Sequence, residues 1–215
     1  MLTVHHLGVS QSERIVWLCE ELEIPYDLKI YDRDPVTRMA PPEFKALHPM
    51  GTAPIITDGD LVLPETAAVM EYILGKYGDG RLTVGPEAAN FADYLFWLHF
   101  ANGSMLPRQS AASTAAAARV EGAEESPRAR FIRERAETAW NLVEQRLGEV
   151  PWFAGAEFTA ADIIMVFSLT TMRVFAPRDL APYPNILAYL QRVGARAGYR
   201  RAMAKGDPGM TPMLT

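Results

Sequence analysis

Two hydrophobic periodicities divide the chain. Roughly the first eighty residues switch between alternation by two and the three-to-four spacing of a helix, whereas the remainder carries almost only the latter. Leu2 to His6 forms a short strand-like run that Gly8, Ser10 and Ser12 break. Ile15, Leu18, Cys19 and Leu22 then fall at i, i+3, i+4 and i+7, one face of a helix that must be buried. Tyr26, Leu28 and Ile30 alternate with Asp27 and Lys29 and predict a second strand. Strand, helix, strand implies a parallel crossover. Pro41-Pro42 opens a short helix through Leu47, ended by His48-Pro49 and Gly51. Ile55–Thr57 and Leu61–Leu63 flank Asp58-Gly59-Asp60 and predict a hairpin. Met70, Ile73, Leu74 and Tyr77 place a last helix after Pro64. The predicted order is βαβαββα.

Gly78-Asp79-Gly80 and Gly85-Pro86 cannot continue that helix and put a linker at 78–87. The expected domains are therefore 1–80 and 88–215, the second all-helical. Phe91, Leu95, Leu98 and Asn102 start a long helical stretch. Ala111 to Glu125 carries helix propensity without a core face, which reads either as a frayed helix end or as a mobile loop. Pro127 opens a helix whose apolar set includes Phe131, Ala139, Leu142, Val143 and Leu147. Thr159-Ala160-Ala161-Asp162 has the spacing of a capping box, with Phe158 and Ile163 placed as a hydrophobic staple. Pro184 starts a helix through Ile186, Leu187, Leu190 and Val193.

Composition narrows the function classes. The chain has 215 residues, 49% hydrophobic and 22% charged, with 21 Lys and Arg against 26 Asp and Glu for a net charge of -5. No basic cluster interleaves with aromatics, so nucleic acid is not an expected partner. No uncharged apolar run reaches the ~18 residues of a spanning helix, and residues 1–6 lack the pattern of a secretory leader; no membrane role is expected and the reading is cytoplasmic. Cys19 is the single cysteine, which excludes an intramolecular disulfide, a CxxC pair and a cysteine zinc site. Lying on the apolar face of the first helix, it reads as packed and inert. His5, His6 and His99 show no ligand spacing and no carboxylate partner, so they read as structural histidines, with no metal.

Several segments together resemble the cytosolic glutathione transferases. His48-Pro49-Met50-Gly51-Thr52-Ala53-Pro54-Ile55-Ile56 is similar to that family's segment of the form (Asn/His)-Pro-x-Gly-x-x-Pro-hydrophobic-hydrophobic. Glu65-Thr66 stands where the family has a Glu-Ser pair, and Thr159 to Asp162 resembles the capping box of its C-terminal domain. The run from His5 through Ser10, Ser12 and Arg14 to Trp17-Leu18 looks like a bacterial and fungal branch, as do Arg33-Asp34 and Ala40-Pro41-Pro42-Glu43. The resemblance covers nearly the whole chain, with its specificity concentrated in residues 5–72. It implies a thioredoxin-like α/β N-terminal domain followed by an all-α domain, glutathione as co-substrate, and a homodimer pairing one subunit's N-terminal domain with the other's helical domain.

It also implies a division of labour. A cis Ala53–Pro54 bond would turn the Ala53 backbone outward to pair with an extended peptide; the structural alternative is a trans proline starting an edge strand. The Thr66 hydroxyl and the free N–H groups at its helix start would receive the γ-glutamyl carboxylate, and Glu65 the ammonium. Alternatively, Thr66 caps its own helix and Glu65 answers the dipole. Thr52 would lie beside the same ligand, with His48 a weaker candidate. A hydroxyl after the first strand would hold the thiolate. Counting back from Arg14, the family's catalytic position falls on Val9, and Ser10, the next residue, is the candidate; Ser12 reads as the helix cap, and helix-start N–H groups are the further alternative. Asn102, Met105 and Leu106 would line an electrophile pocket, or else belong to the core. The implied activity is conjugation of the glutathione thiolate to small hydrophobic electrophiles. Glutathione-dependent peroxidase or disulfide-bond reductase activity, and a non-catalytic binding or regulatory role, are the alternatives.

Overall fold

The computed structural model describes residues 1–119 and 124–215. β1 (Leu2–Leu7), α1 (Glu13–Leu22) and β2 (Asp27–Tyr31) make the parallel crossover that the alternating pattern predicts. A four-residue helix α2 (Pro42–Lys45) leads to the antiparallel hairpin of β3 (Ile55–Asp58) and β4 (Leu61–Pro64), and α3 (Thr66–Tyr77) follows. The strands lie in the order β2-β1-β3-β4, with β1 antiparallel to β3. Leu2 and Val4 of β1 and Ile56 of β3 pack into the main core with α1 and α3, while Leu7, Tyr31, Ile55 and Phe44 form a small second core against α2.

Beyond α3 every described element is helical: α4 (Phe91–Phe100), a π-helical turn at Ala101–Met105, α5 (Leu106–Ala117), α6 (Pro127–Glu149), α7 (Ala160–Leu169), a 3₁₀ turn at Thr171–Val174, α8 (Pro184–Ala195) and α9 (Ala197–Gly206). The alanine-rich stretch continues α5 to Ala117, and the part of it at 120–123 lies outside the described residues. The apolar face expected for α6 needs correcting: Ala139, Val143 and Leu147 are buried, but Phe131 is 57% exposed and Leu142 is 37% exposed. α7 is buried along its whole length. Its capping box is present, and Asp162 also accepts the Phe153 N–H at 2.9 Å, tying the preceding loop to the helix start. None of the helices described is long and apolar enough to cross a membrane.

α1 belongs to both halves of the molecule. Its inner face packs beneath the sheet, while Trp17 meets Tyr199 of α9 edge-on at 5.0 Å and Phe158 at 5.5 Å. Glu21 takes both forks of Arg196 at 2.8 Å, and Glu20 accepts from Arg201 and Lys205. The main core is consequently continuous from β1 to α9.

Candidate functional site

Sheet register decides which loops meet. His5 of β1 stands opposite Ile55, and Ile55 stands opposite Pro64. Pro54 and Glu65 lie one residue past these pairs and β1 ends two residues beyond His5, so the β1–α1 loop, Ala53–Pro54 and Glu65 all leave the sheet at the same end. The Ala53–Pro54 bond is cis. Pro54 is buried, Ala53 is half-buried and Thr52 is exposed. Glu65 is exposed and holds φ 74°, a left-handed backbone that a non-glycine residue adopts at a cost of ~1–3 kcal/mol. Thr66 is 2% exposed and occupies the first position of α3 rather than its cap; its hydroxyl donates to Gln11 Oε1 at 3.3 Å. This bond ties the start of α3 to the β1–α1 loop. The half-buried His48 accepts the Met50 N–H on its Nδ1 at 3.2 Å, so its ring shapes the turn ahead of Thr52.

The β1–α1 loop is fixed from both sides. Val9, at φ 52°, donates its N–H to Asp207 Oδ1 at 2.8 Å. Arg33 donates Nε to the Gly8 carbonyl at 2.7 Å and Nη2 to the Val9 carbonyl at 3.1 Å. Ser10 is 6% exposed; its Oγ accepts the Ser12 N–H at 3.2 Å and lies 2.8 Å from Ser12 Oγ. Ser12 stands at the cap position of α1 but makes no capping bond, because its own backbone is helical and its hydroxyl turns down to the sheet. There it accepts the Leu7 N–H at 3.1 Å and lies 2.9 Å from His6 Nδ1. His6 does have a carboxylate partner: Nε2 lies 3.1 Å from Asp207 Oδ2. Burial acts to raise the Asp207 carboxyl, but hydrogen bonding and charge from His6, the Val9 N–H and Arg33 hold it below its ordinary value. His5, by contrast, bonds Tyr31 Oη and Thr57 Oγ1 on the other face of the sheet.

Two residues absent from the sequence-based site connect it to the helices. Arg14 is 1% exposed, donates Nη1 to Gln11 Oε1 at 3.1 Å and to Asn102 Oδ1 at 2.7 Å, and sits 4.8 Å over the Phe167 ring. Burial pushes its pKa down to about 9 against the pull of Glu13. Arg14 lies four residues before Leu18, on the buried face of α1, and that spacing is a signal that could have found it. Gln11 gives no such signal beyond its place between the two serines. Asn102 thus reaches the loop from the π-helical turn, a departure from α geometry found often at functional sites. Met105 is fully buried in the main core and Leu106 is half-buried.

A cavity of about 870 Å³ opens between α5, α6 and residues 176–178, lined among others by Gln109, Ala112, Ala136 and Trp140. Asn102, Met105 and Leu106 are not among its lining residues. It begins one turn further along α5 than Leu106, and its Ala176 follows Phe175, whose ring lies 5.8 Å from the Arg33 guanidinium. Cys19 takes no part: it is fully buried, and desolvation first and Glu20 second push its thiol well above the ordinary range. Among the described residues no group of three His, Cys, Asp or Glu side chains is placed to hold a metal ion.

A thioredoxin-like domain joined to an all-helical domain, with these loops at one end of the sheet, defines a class, and comparison with known proteins agrees. The model of the glutathione S-transferase N-terminal domain matches residues 10–74, and that of the C-terminal domain matches 108–198. Glutathione S-transferase 3 of Schizosaccharomyces pombe is 32% identical over 218 residues, covering 95% of this chain and 88% of the relative. The crystal structure of a glutathione S-transferase from Actinobacillus pleuropneumoniae superposes with a TM-score of 0.87 at 34% identity, covering 96% of this chain and 93% of that one. A glutathione transferase of Phanerochaete chrysosporium, crystallised with oxidised glutathione, shares the fold at a TM-score of 0.73 and 23% identity, over 96% of this chain and 95% of its own. The chain belongs to the glutathione S-transferase family, and it is a transferase enzyme.

Proposed function

We propose that this enzyme binds glutathione where the β1–α1 loop, the cis Ala53–Pro54 turn and the start of α3 meet, and transfers its thiolate to small hydrophobic electrophiles. Residues 1–80 hold the tripeptide and residues 88–215 supply the electrophile side. The observation that carries this reading is the register that brings those three segments to one end of the sheet. Ala53 offers its backbone to the cysteinyl peptide unit, as a strand edge does, with Thr52 and Pro54 framing it. The exposed Glu65 carboxylate answers the ammonium, and Thr66 with the free N–H groups of α3 receives the γ-glutamyl carboxylate. Ser10 lies in the loop facing the middle of such a ligand and is the hydroxyl assigned to the sulfur. One such bond to a charged sulfur contributes ~1.5–3 kcal/mol, about one to two pKa units when it favours only the thiolate.

The burial of Cys19 supports a sulfur that arrives with the ligand. Asn102 and Leu106 stand at the helical side, with Met105 supporting them from the core, and the cavity beyond Gln109 offers apolar room for the electrophile. Leu95 and Phe96 stay 37% and 49% exposed on α4, which suits a homodimer that covers them.

A second reading, a glutathione-binding protein without turnover, is favoured by one feature: the Ser10 hydroxyl already has a partner in Ser12. Calorimetric titration with glutathione tests the site, and failure to bind at millimolar concentration would reject it. Turnover of an aryl halide, compared with an organic hydroperoxide and a glutathionylated thiol, separates conjugation from reduction; no turnover of any of them favours the second reading.

A further inference from the structure

The hydroxyl of Ser10 is the outer end of a chain of buried groups that runs to the C-terminal end of α9. Asp207 Oδ2 lies 3.1 Å from His6 Nε2, His6 Nδ1 lies 2.9 Å from Ser12 Oγ, and Ser12 Oγ lies 2.8 Å from Ser10 Oγ. All four residues are buried, His6 and Ser12 completely. Gly206 leaves the ring its place, since a Cβ there would sit 3.1 Å from Nε2.

Donor and acceptor counting orients the chain. An ionised Asp207 only accepts, so Nε2 of His6 carries a hydrogen, and in the neutral form of the ring Nδ1 is then the acceptor. Ser12 then gives its single proton to Nδ1, the Leu7 carbonyl at 3.4 Å being the more distant acceptor. The Ser12 lone pairs receive the Leu7 N–H and the Ser10 O–H. Ser10 in turn accepts the Ser12 N–H and keeps one lone pair free. In this state Ser10 donates inward and offers an incoming thiol an acceptor, not a donor.

We propose that the His6 and Asp207 pair is the base that takes the glutathione thiol proton, through Ser12 and Ser10. This rests on the reading of Ser10 as the residue at the sulfur. The S–H bond breaks as an O–H forms on Ser10; the former Ser10 proton passes to Ser12, and the former Ser12 proton forms an N–H bond at His6 Nδ1. The products are a thiolate and an imidazolium paired with the Asp207 carboxylate, with no net change of charge. The same shift reverses every hydroxyl. Nδ1–H now donates to Ser12, Ser12 donates to Ser10, and the Ser10 O–H is released to donate to the thiolate, while both lone pairs of each serine stay filled. Proton removal and thiolate stabilisation are therefore one event.

The other charged groups acting on the pair are Glu13 of α1, next to the loop, and Arg33 after β2. Arg33 favours the carboxylate form of Asp207. Glu13, pushed up to about 8 mainly by desolvation, is protonated near neutral pH and leaves Asp207 as the anion beside the ring.

The test compares the full-length wild type with Ser10→Ala, Ser12→Ala and Asp207→Asn. Glutathione affinity is measured by calorimetry, ionisation of bound glutathione by thiolate absorbance across pH, and kcat/KM with chlorodinitrobenzene. Asn at 207 still accepts the Val9 N–H but donates to Nε2, which forces the hydrogen onto Nδ1 and closes the relay. The expected result is unchanged glutathione affinity, a thiol ionisation displaced upward by about one pH unit toward the free value near ~8.5, and kcat/KM lowered about 10–100-fold at neutral pH but recovering as pH rises. Ser12→Ala makes the same comparison should Asp207→Asn lose its fold. An ionisation profile that moves in Ser10→Ala but in neither relay variant overturns the relay and leaves the site reading standing. Absence of glutathione binding by the wild type overturns both.

Discussion

Ser10 and Thr66 are half-committed side chains: each is nearly buried and has one protein partner, Ser12 and Gln11 respectively, at the edge of the proposed glutathione site. Removing either should affect ligand chemistry more than folding. Ser10→Ala is expected to bind glutathione normally and to lose roughly 10–100-fold in kcat/KM with an aryl halide, the kinetic equivalent of one charge-assisted hydrogen bond. Thr66→Val keeps shape but loses the hydroxyl, and calorimetry is expected to show glutathione affinity reduced about tenfold or more. Short local motifs, Thr52-Ala53-Pro54 and Glu65-Thr66, are what single these segments out in the sequence, and the cis Ala53–Pro54 bond is the part of that reading the structure shows. The partnership of His6 with Asp207 was not, since 201 residues separate the two and only the return of α9 to the end of β1 brings them together. Ser12 misled for a related reason. Serine before a helix usually caps it, but a buried imidazole and the Leu7 N–H compete for the same hydroxyl.

Among the elements, α1 and α7 carry buried carboxylates whose consequences differ. Asp162 at the start of α7 accepts the Thr159 and Phe153 N–H groups at 2.9 Å, and burial raises its pKa to about 7. Asp162→Ala leaves both donors buried without a partner and is expected to cost about 3 kcal/mol in urea unfolding, with Asp162→Asn costing less. Glu13 on α1 bonds the Thr171 hydroxyl, and desolvation outweighs that bond to place its pKa at about 8. The folded state therefore holds a proton that the unfolded chain releases near the ordinary carboxylate value of 4.5, so this contribution to stability is complete below about pH 4.5 and lost as pH rises through about 8. Glu13→Gln should flatten the fall in melting temperature between pH 5 and 8. Strong periodicity made most elements legible, α1 and α8 above all. The π-helical turn at Ala101–Met105 was not, because its apolar spacing continues that of α4, and what sets it apart is the single Asn102 that turns toward Arg14.

At the scale of the whole molecule, the change from mixed to purely helical periodicity falls where the strands end and only helices follow, while the union of the two parts was hidden. Trp17, Glu20 and Glu21 lie outside the apolar face of α1 that the spacing of Ile15, Leu18, Cys19 and Leu22 defines, and they find their partners only when α9 supplies Tyr199, Arg201 and Lys205 and the junction before it supplies Arg196. The exposed Leu95 and Phe96 point outward from this shared core. Phe96→Glu is expected to convert a dimer to monomers in light scattering coupled to size exclusion; a monomeric wild type would remove the dimer from the account. α9 also delivers Asp207 to the β1–α1 loop, so the helical half buttresses the loop of the proposed site. Calorimetric titration of the full chain with glutathione tests that site most directly. The expected result is saturable binding below millimolar glutathione that weakens at least tenfold in Thr66→Val; no heat of binding at millimolar glutathione, or an affinity indifferent to Thr66, would contradict it.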